Sequence, residues 1–205
     1  MDPLQALKKT KLNSSERKLE NIFFDKKDLL NCGKNVIIGK TVRIRSPEKV
    51  SIGDNSIIDD FTYISGSIEI GEHVHIGAGC TLSGSKKKIS IGDFTSLSSG
   101  VKIYAASSNF MEASLDSPTI EEEFLWNGIY EDVILNPFSL LGANSVILPG
   151  CILPEGLSVA ASLVVRKKLK LEKWHVLLNE EGKMRPRKKT KELKDKIFKF
   201  YKKEY

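Results

Sequence analysis

Two of the three histidines in the sequence, His73 and His75, flank a single aliphatic residue, Val74. Side chains alternate along an extended strand, so if Val74 points into a core, both imidazoles point out of it. An imidazole titrates near neutral pH and can take a proton from a nucleophile. The spacing therefore predicts two outward imidazoles, and either of them could act as a general base.

Two other interpretations of this histidine pair remain open. Both imidazoles could be ordinary surface or interface residues, or they could be two ligands of a metal ion. A zinc site needs three or four protein ligands, and the remaining histidine, His175, lies far along the chain beside Trp174. The sequence therefore predicts no metal site.

The segment that must position these histidines is a six-residue repeat. From Ile52 to Leu82 an aliphatic residue returns at every sixth position, and a small or acidic residue follows each one. The period is interrupted by a nine-residue step that contains Lys86 to Lys88, and it is lost from 105 to 132. A short fixed period predicts a solenoid, because each unit buries its apolar side chain only by stacking on its neighbours. The predicted inward positions are Ile38, Ile44, Ile52, Ile58, Ile64, Ile70, Ile76, Leu82, Ile91, Leu97, Ile103, Leu135, Leu141, Ile147, Leu153, Val159 and Val165.

Three segments surround this solenoid. The apolar spacing over residues 11–30, with a capping box at Asn13 and Glu16, predicts an α-helix within a helical cap, 1–33. The solenoid is expected over 34–166, with the insertion 105–132. A basic extension, 167–205, contains a predicted short strand at Trp174 and a helix that begins near Lys188. Residues 166–205 hold 16 Lys or Arg and 6 Asp or Glu, a balance of +10, so residues 1–165 carry −4 of the net charge of +6 and the basicity is a property of the tail.

Composition limits the class of protein. With 40% hydrophobic and 28% charged residues, and no apolar run near the roughly 20 residues that span a bilayer, the chain is predicted to lack a membrane span. The first residues have no secretory signal, and three widely spaced cysteines indicate buried thiols, so we expect a cytoplasmic protein. The basic tail lacks the interleaved aromatics typical of nucleic-acid binding except near Phe198 to Tyr201, so nucleic-acid binding is not expected.

The two repeat blocks, Ile52 to Ile103 and Leu135 to Val165, resemble the hexapeptide-repeat acyltransferases, and in particular bacterial acetyltransferases of surface-polysaccharide and nucleotide-sugar pathways. The resemblance implies a mainly β fold, a left-handed parallel β-helix, here with an N-terminal helix, a loop insertion and a C-terminal helix. It also implies a homotrimer that uses acetyl-CoA and a sugar or nucleotide-sugar acceptor. Residues that match the coenzyme-binding coils and the phosphate contacts are Gly142, Ala143, Ala160, Ser162, Arg166 and Lys167.

The catalytic histidine of many family members is absent from this sequence. It follows a strand like Val101 to Tyr104, where this chain reads Ala105 to Phe110, and the closing Gly-x-Pro-Ala motif is also missing. His75 matches a position where some nucleotide-sugar N-acetyltransferases carry a second active-site histidine, so His75 is the first candidate base and His73 the second. A sugar hydroxyl needs a base more than an amine does, because an amine with a pKa near 8 is partly neutral at pH 7.

The insertion is expected to shape the acceptor site. Candidate substrate-binding residues are Asn109, Trp126, Tyr104 and Ser83, and the acidic residues Glu112, Asp116 and Glu121 to Glu123 could meet an amine. A solvated loop or a trimer contact is the alternative for this segment. The sequence thus favours N-acetylation of a nucleotide-linked amino sugar in lipopolysaccharide, O-antigen or capsule synthesis. O-acetylation of a sugar hydroxyl and a non-catalytic assembly module remain the alternatives.

Overall fold

The computed structural model describes residues 21–111, 115–117, 119–125 and 128–201. This part of the chain contains twenty short strands and one α-helix, α1 (Thr190–Tyr201). The strands are β1 (Asn31–Cys32), β2 (Ile37–Ile38), β3 (Arg43–Ile44), β4 (Val50–Ile52), β5 (Ile57–Ile58), β6 (Tyr63–Ile70), β7 (His75–Ile76), β8 (Thr81–Ile91), β9 (Ser96–Leu97), β10 (Lys102–Tyr104), β11 (Ala106–Ser107), β12 (Ile129–Tyr130), β13 (Val133–Leu135), β14 (Leu140–Leu141), β15 (Val146–Ile147), β16 (Ile152–Leu153), β17 (Ser158–Val159), β18 (Val164–Val165), β19 (His175–Leu177) and β20 (Met184–Pro186). The helix α1 is not long and apolar enough to cross a bilayer, and no other helix in these residues is.

The strands wind into a solenoid with three faces. Ile58 pairs in parallel with Ile76, and Ile64 with Leu82, so one coil contains three six-residue units. The first face holds β1, β4, β13, β16 and the second halves of β6 and β8. The second face holds β2, β5, β7, β9, β14, β17 and β19, and the third holds β3, β10, β15, β18 and the first halves of β6 and β8. The predicted left-handed parallel β-helix is confirmed.

The core is the column of inward side chains. All the inward positions predicted from the six-residue period are buried. A second buried column lies two residues before the first and includes Val74, Cys80 and Cys151, whose burial the sequence predicted. Three polar members of this column donate hydrogen bonds to the backbone: Ser56 Oγ to Gly71 O at 2.9 Å, Thr62 Oγ1 to Gly77 O at 3.2 Å and Ser139 Oγ to Asn136 O at 2.7 Å. Burial raises the pKa of the Cys151 thiol to about 11, so this thiol is a packing group rather than a nucleophile.

Side chains at the corners also join one coil to the next. Asp60 Oδ1 accepts hydrogen bonds from the backbone N–H of Thr41 at 2.8 Å and from its hydroxyl at 2.7 Å. These two donors, the backbone one first, hold the pKa of Asp60 below its usual value. The corner therefore gains stability from an ionised carboxylate.

Both interruptions of the repeat leave the stacking register intact. Ile70 pairs with Ile91 across the lysine step, and Ile91 pairs with Leu135 across the insertion. Each excursion leaves and re-enters at a corner between the third and first faces, so the inward column continues as if the extra residues were absent. Both insertions into the regular solenoid therefore project from this corner.

The two ends differ from the sequence-based expectations. Residues 21–30 contain only the 3-10 turn Lys26–Asp28, so the predicted α-helix is wrong for this part, and its first half lies outside the described residues. At the other end the solenoid continues past Val165, because β19 pairs in parallel with β17 and then antiparallel with β20. The predicted short strand after Trp174 and the C-terminal helix are both present.

Aromatic rings stack along the corner between the first and second faces. We call His73, Phe94, Phe138 and Trp174 the corner ladder, and all four have left-handed backbone conformations, with φ between 56° and 65°. His73 stacks on Phe94 at 4.9 Å between ring centroids, and Phe94 on Phe138 at 5.3 Å. Gly156 lies beneath the Trp174 ring, where a side chain would overlap it.

The basic C-terminal segment is anchored to this ladder. Tyr201 of α1 contacts His73 and Phe94 edge-on at 4.9 and 5.2 Å. The Arg187 guanidinium lies 5.3 Å from the Trp174 ring and donates to the carbonyls of Phe138 and Gly156. Burial lowers the pKa of Arg187. The C-terminal segment therefore packs against the solenoid and is an ordered part of the fold.

Candidate functional site

The insertion and the third-to-first corner together line an open polar cavity of about 230 Å³. Two antiparallel strands hold the insertion in place, because Ala106 pairs with Tyr130 and Ser107 with Ile129. Glu131 N–H donates to Ala105 O at 3.0 Å and fixes the hairpin to the solenoid. The cavity is lined by Ser85, Ala106, Ser107, Ser108, Asn109, Leu115, Asp116, Gly128 and Tyr130.

Asp116 and Ser108 form the chemically most useful pair in this cavity. The Ser108 hydroxyl donates a hydrogen bond to Asp116 Oδ2, although eight residues separate them along the chain. A carboxylate and a hydroxyl that face one chamber can accept hydrogen bonds from an amine or an ammonium group. Asn109, a predicted substrate-binding residue, lines the same chamber, so the structure places this candidate beside the pair.

Two further predicted substrate-binding residues lie on the third face beneath the insertion. Tyr104 and Ser83 are paired neighbours on β10 and β8. Ser83 O accepts a hydrogen bond from Ala105 N–H at 2.9 Å, so this serine supports the first residue of the insertion. Trp126 lies outside the described residues.

The two candidate catalytic histidines occupy different environments. His75 is on β7, with its imidazole exposed on the second face, and its Nε2 lies 2.8 Å from Asp59 Oδ2. A carboxylate at this distance fixes the orientation of the imidazole ring. His73 precedes the strand, at a corner, so strand alternation does not apply to it. Its ring is half-buried in the corner ladder, which indicates packing for His73 and leaves His75 as the reactive candidate.

The candidate coenzyme-binding residues lie on the last coils. Gly142 and Ala160 follow the paired strands β14 and β17 on the second face, and Ser162 N–H donates to Ala143 O at 2.8 Å at the next corner. The backbone N–H groups of Gly142 and Ala160 donate to Val159 O and Leu177 O. These residues thus form a surface of small side chains whose amides hold the coils together.

The two candidate phosphate-binding cations are already ion-paired. Arg166 Nη1 lies 2.9 Å from Glu180 Oε2, and Lys167 Nζ lies 2.5 Å from Glu131 Oε1. The hydrogen bond from Arg166 lowers the pKa of Glu180. Both cations are about half exposed, so an incoming phosphate can reach them by exchanging with a carboxylate.

Several residues at this site were not found by the sequence analysis. Ser85, Ser108 and Tyr130 line the cavity, and the Lys86 ammonium lies 4.9 Å from the centre of the Tyr130 ring. The interruption of the repeat at Lys86 to Lys88 was the available signal, because an excursion at a corner must project from the solenoid. Among the described residues no group of three or more His, Cys, Asp or Glu side chains could hold a metal ion.

Comparison with known proteins identifies a matching transferase family and similar acyltransferases. The family described as bacterial transferase hexapeptide (six repeats) matches residues 49–84. The dTDP-4-amino-4,6-dideoxy-D-glucose acyltransferase of Escherichia coli is 30% identical over 152 residues, which cover 73% of this chain and 78% of that protein.

Solved structures of AntD, an N-acyltransferase from Bacillus cereus, are also similar. One is a variant in which a serine is replaced, bound to dTDP-4-amino-4,6-dideoxyglucose and coenzyme A. It is 33% identical to this chain, has a TM-score of 0.77, and the match covers 87% of this chain and 98% of that one. Another, bound to dTDP and 3-hydroxybutyryl-CoA, has the same identity and TM-score over 89% of this chain and 100% of that one. A third structure, of a variant in which an aspartate is replaced, has a TM-score of 0.78.

Proposed function

Because the chain belongs to the hexapeptide-repeat acyltransferases, we propose that it transfers an acyl group from coenzyme A to the amino group of a nucleotide-linked amino sugar. The observation that carries this proposal is the Asp116–Ser108 pair in the cavity between the insertion and the solenoid. The sugar-nucleotide ligands of AntD and the name of the Escherichia coli relative support the choice of acceptor.

The cavity pair suits an amine acceptor. Asp116 accepts a proton from the sugar ammonium, and Ser108 holds the carboxylate in place. The neutral amine nitrogen attacks the thioester carbonyl, the carbon–sulfur bond breaks, and the coenzyme leaves as a thiol once it has gained a proton. The AntD variants also replace one serine and one aspartate, which makes Ser108 and Asp116 the first residues to test by substitution.

We place the acyl donor, acetyl-CoA, along the last coils. Gly142, Ala143, Ala160 and Ser162 offer a surface of small side chains to the pantetheine arm. Arg166 and Lys167 would then release Glu180 and Glu131 and neutralise the coenzyme phosphates. The 3-hydroxybutyryl-CoA bound by AntD makes longer acyl groups worth testing beside acetyl.

His75 is the second candidate for the base. Its contact with Asp59 gives it the orientation that a general base needs, although it lies on the second face rather than in the cavity wall. We propose a cytoplasmic homotrimer in which sites form between subunits, and a role in lipopolysaccharide, O-antigen or capsule synthesis. In such a trimer His75 of one subunit could approach the acceptor of another.

The test is release of free thiol from acetyl-CoA with dTDP-linked and UDP-linked amino sugars. Turnover with an amino sugar but not with its hydroxyl counterpart would support N-acylation. Turnover with the hydroxyl sugar, abolished by His75→Asn, would support O-acetylation. Absence of coenzyme A binding in a chain that still oligomerises tightly would support the non-catalytic assembly module. Light scattering gives the oligomeric state in each case.

A further inference from the structure

The lysine step and the insertion meet at the rim of the cavity. The cavity wall includes Ser85 from the step and Tyr130 from the insertion, and Lys86 follows Ser85 directly. The Lys86 ammonium lies over the Tyr130 ring at 4.9 Å, within the range of a cation–π contact. Although its side chain is exposed, the ring therefore holds this ammonium beside the chamber.

The carboxylates near this rim are occupied by other groups. Glu69 pairs with Lys88, and Asp132 accepts the Lys88 backbone N–H at 2.9 Å. Glu131 pairs with Lys167. Within the described residues, no carboxylate lies within ion-pair distance of Lys86, so its ammonium contacts the Tyr130 ring at the cavity wall without a described counter-ion.

We infer that Lys86 binds the diphosphate of a nucleoside diphosphate whose sugar occupies the cavity. This inference deepens the proposed function and depends on it for the place of the sugar. Tyr130 pairs with Ala106, and Ser108 lies two residues further along the same segment, which is about 7 Å in extended chain. A cation near one end and a carboxylate near the other match a pyranose that carries a diphosphate at C1 and an amine across the ring.

The same geometry explains why the chain interrupts its repeat here. Ser65 pairs with Ser83 and Ser67 pairs with Lys88, so this coil accommodates three extra residues, which project the lysines from the corner. Lys88 is used within the fold, through Glu69 and Asp132, whereas Lys86 points to the cavity rim. Selectivity for a sugar nucleotide over a free amino sugar follows from this one cation.

The test measures binding and needs no turnover. Isothermal titration with dTDP should show binding weakened about 10- to 100-fold in Lys86→Met, because a charge-assisted contact is lost. Lys87→Met is the matched control, since Lys87 is also exposed and lies on the same step, and it should bind as wild type does. Lys86→Arg should retain most of the affinity, and higher salt should weaken wild type more than Lys86→Met.

Coenzyme A also contains a diphosphate, so the same variants are titrated with coenzyme A. Weakened dTDP binding with unchanged coenzyme A binding supports the inference. Unchanged dTDP binding by Lys86→Met, loss of coenzyme A binding instead, or a wild-type chain that binds neither dTDP nor UDP would overturn it. A chain that binds dTDP through Lys86 but transfers no acyl group would contradict the proposed function and leave this diphosphate site standing.

Discussion

Replacement of Asp116 by Asn removes the proposed proton acceptor while keeping the shape of the cavity. The amide has nearly the same size as the carboxylate, and its oxygen can still accept the hydrogen bond from the Ser108 hydroxyl. The amide cannot, however, take a proton from the amino group of the sugar. Loss of a positioned base costs about 10²- to 10⁴-fold in rate. That loss corresponds to about 3 to 5 kcal/mol of transition-state stabilisation.

The pH profile distinguishes a lost base from a distorted site. Without Asp116 the rate should follow the fraction of neutral amine, which rises about tenfold per pH unit until it levels off near pH 8. The deficit of Asp116→Asn should therefore be largest at low pH and smaller at pH 9. A cavity that had merely lost its shape would show a similar deficit at every pH.

The assay is thiol release under saturating acetyl-CoA, from pH 6 to 9, with dTDP-linked amino sugar varied to obtain kcat and KM. Glu121→Gln is the control, because Glu121 is an exposed acid of the same insertion and does not line the cavity. It should behave as wild type does. A rate for Asp116→Asn within about threefold of wild type over the whole range would refute Asp116 as the base and direct attention to His75.

Three further predictions concern the scaffold. Gly156→Ala should lower the free energy of unfolding by more than the ~1 to 2 kcal/mol that a left-handed backbone costs, because the added Cβ would overlap Trp174. Gly79→Ala is the control, since Gly79 has nearly the same φ (70°, against 69° for Gly156) and open space around it. In the same denaturant titration it should lose only the backbone cost. Cys151 should resist alkylation at pH 8.5 in the native protein and react once the chain is unfolded; intact-mass measurement of early native labelling would contradict this. Asp60 has a folded-state pKa below its unfolded value, so its contribution is present above about pH 4 and is lost as the pH falls through the folded value. The gap in melting temperature between wild type and Asp60→Asn should therefore narrow from pH 6 to pH 2, and a constant gap would disprove the linkage.

The six-residue period was sufficient to predict the fold because every coil repeats one simple requirement. Each inward position, from Ile38 to Val165, must bury an aliphatic side chain against the coils on either side, and that requirement is written locally in the sequence. The same logic failed at His73. Its neighbour Val74 is inward as expected, but a left-handed turn places His73 at a corner, where ring stacking decides its surroundings.

The site could not be predicted to the same depth, because its contacts join distant parts of the chain. Asp59 and His75 meet only once the length of a coil is known, and Ser108 meets Asp116 only when the insertion folds back on itself. The ion pairs of Arg166 and Lys167 likewise depend on Glu180 and Glu131, which lie outside the repeat. Periodicity gives no information about such residues.

The way the insertion rejoins the solenoid has an evolutionary consequence. Ile91 pairs with Leu135 although residues 106–130 leave the solenoid between β10 and β13, so this segment can change in length and composition while the inward column stays fixed. The proposed acceptor cavity can therefore vary by loop exchange, and chimeras that carry another member's insertion between Ala105 and Glu131 should fold on the same scaffold. If the cavity binds the acceptor as proposed, substitutions that change substrate choice can be made with little effect on folding of the solenoid.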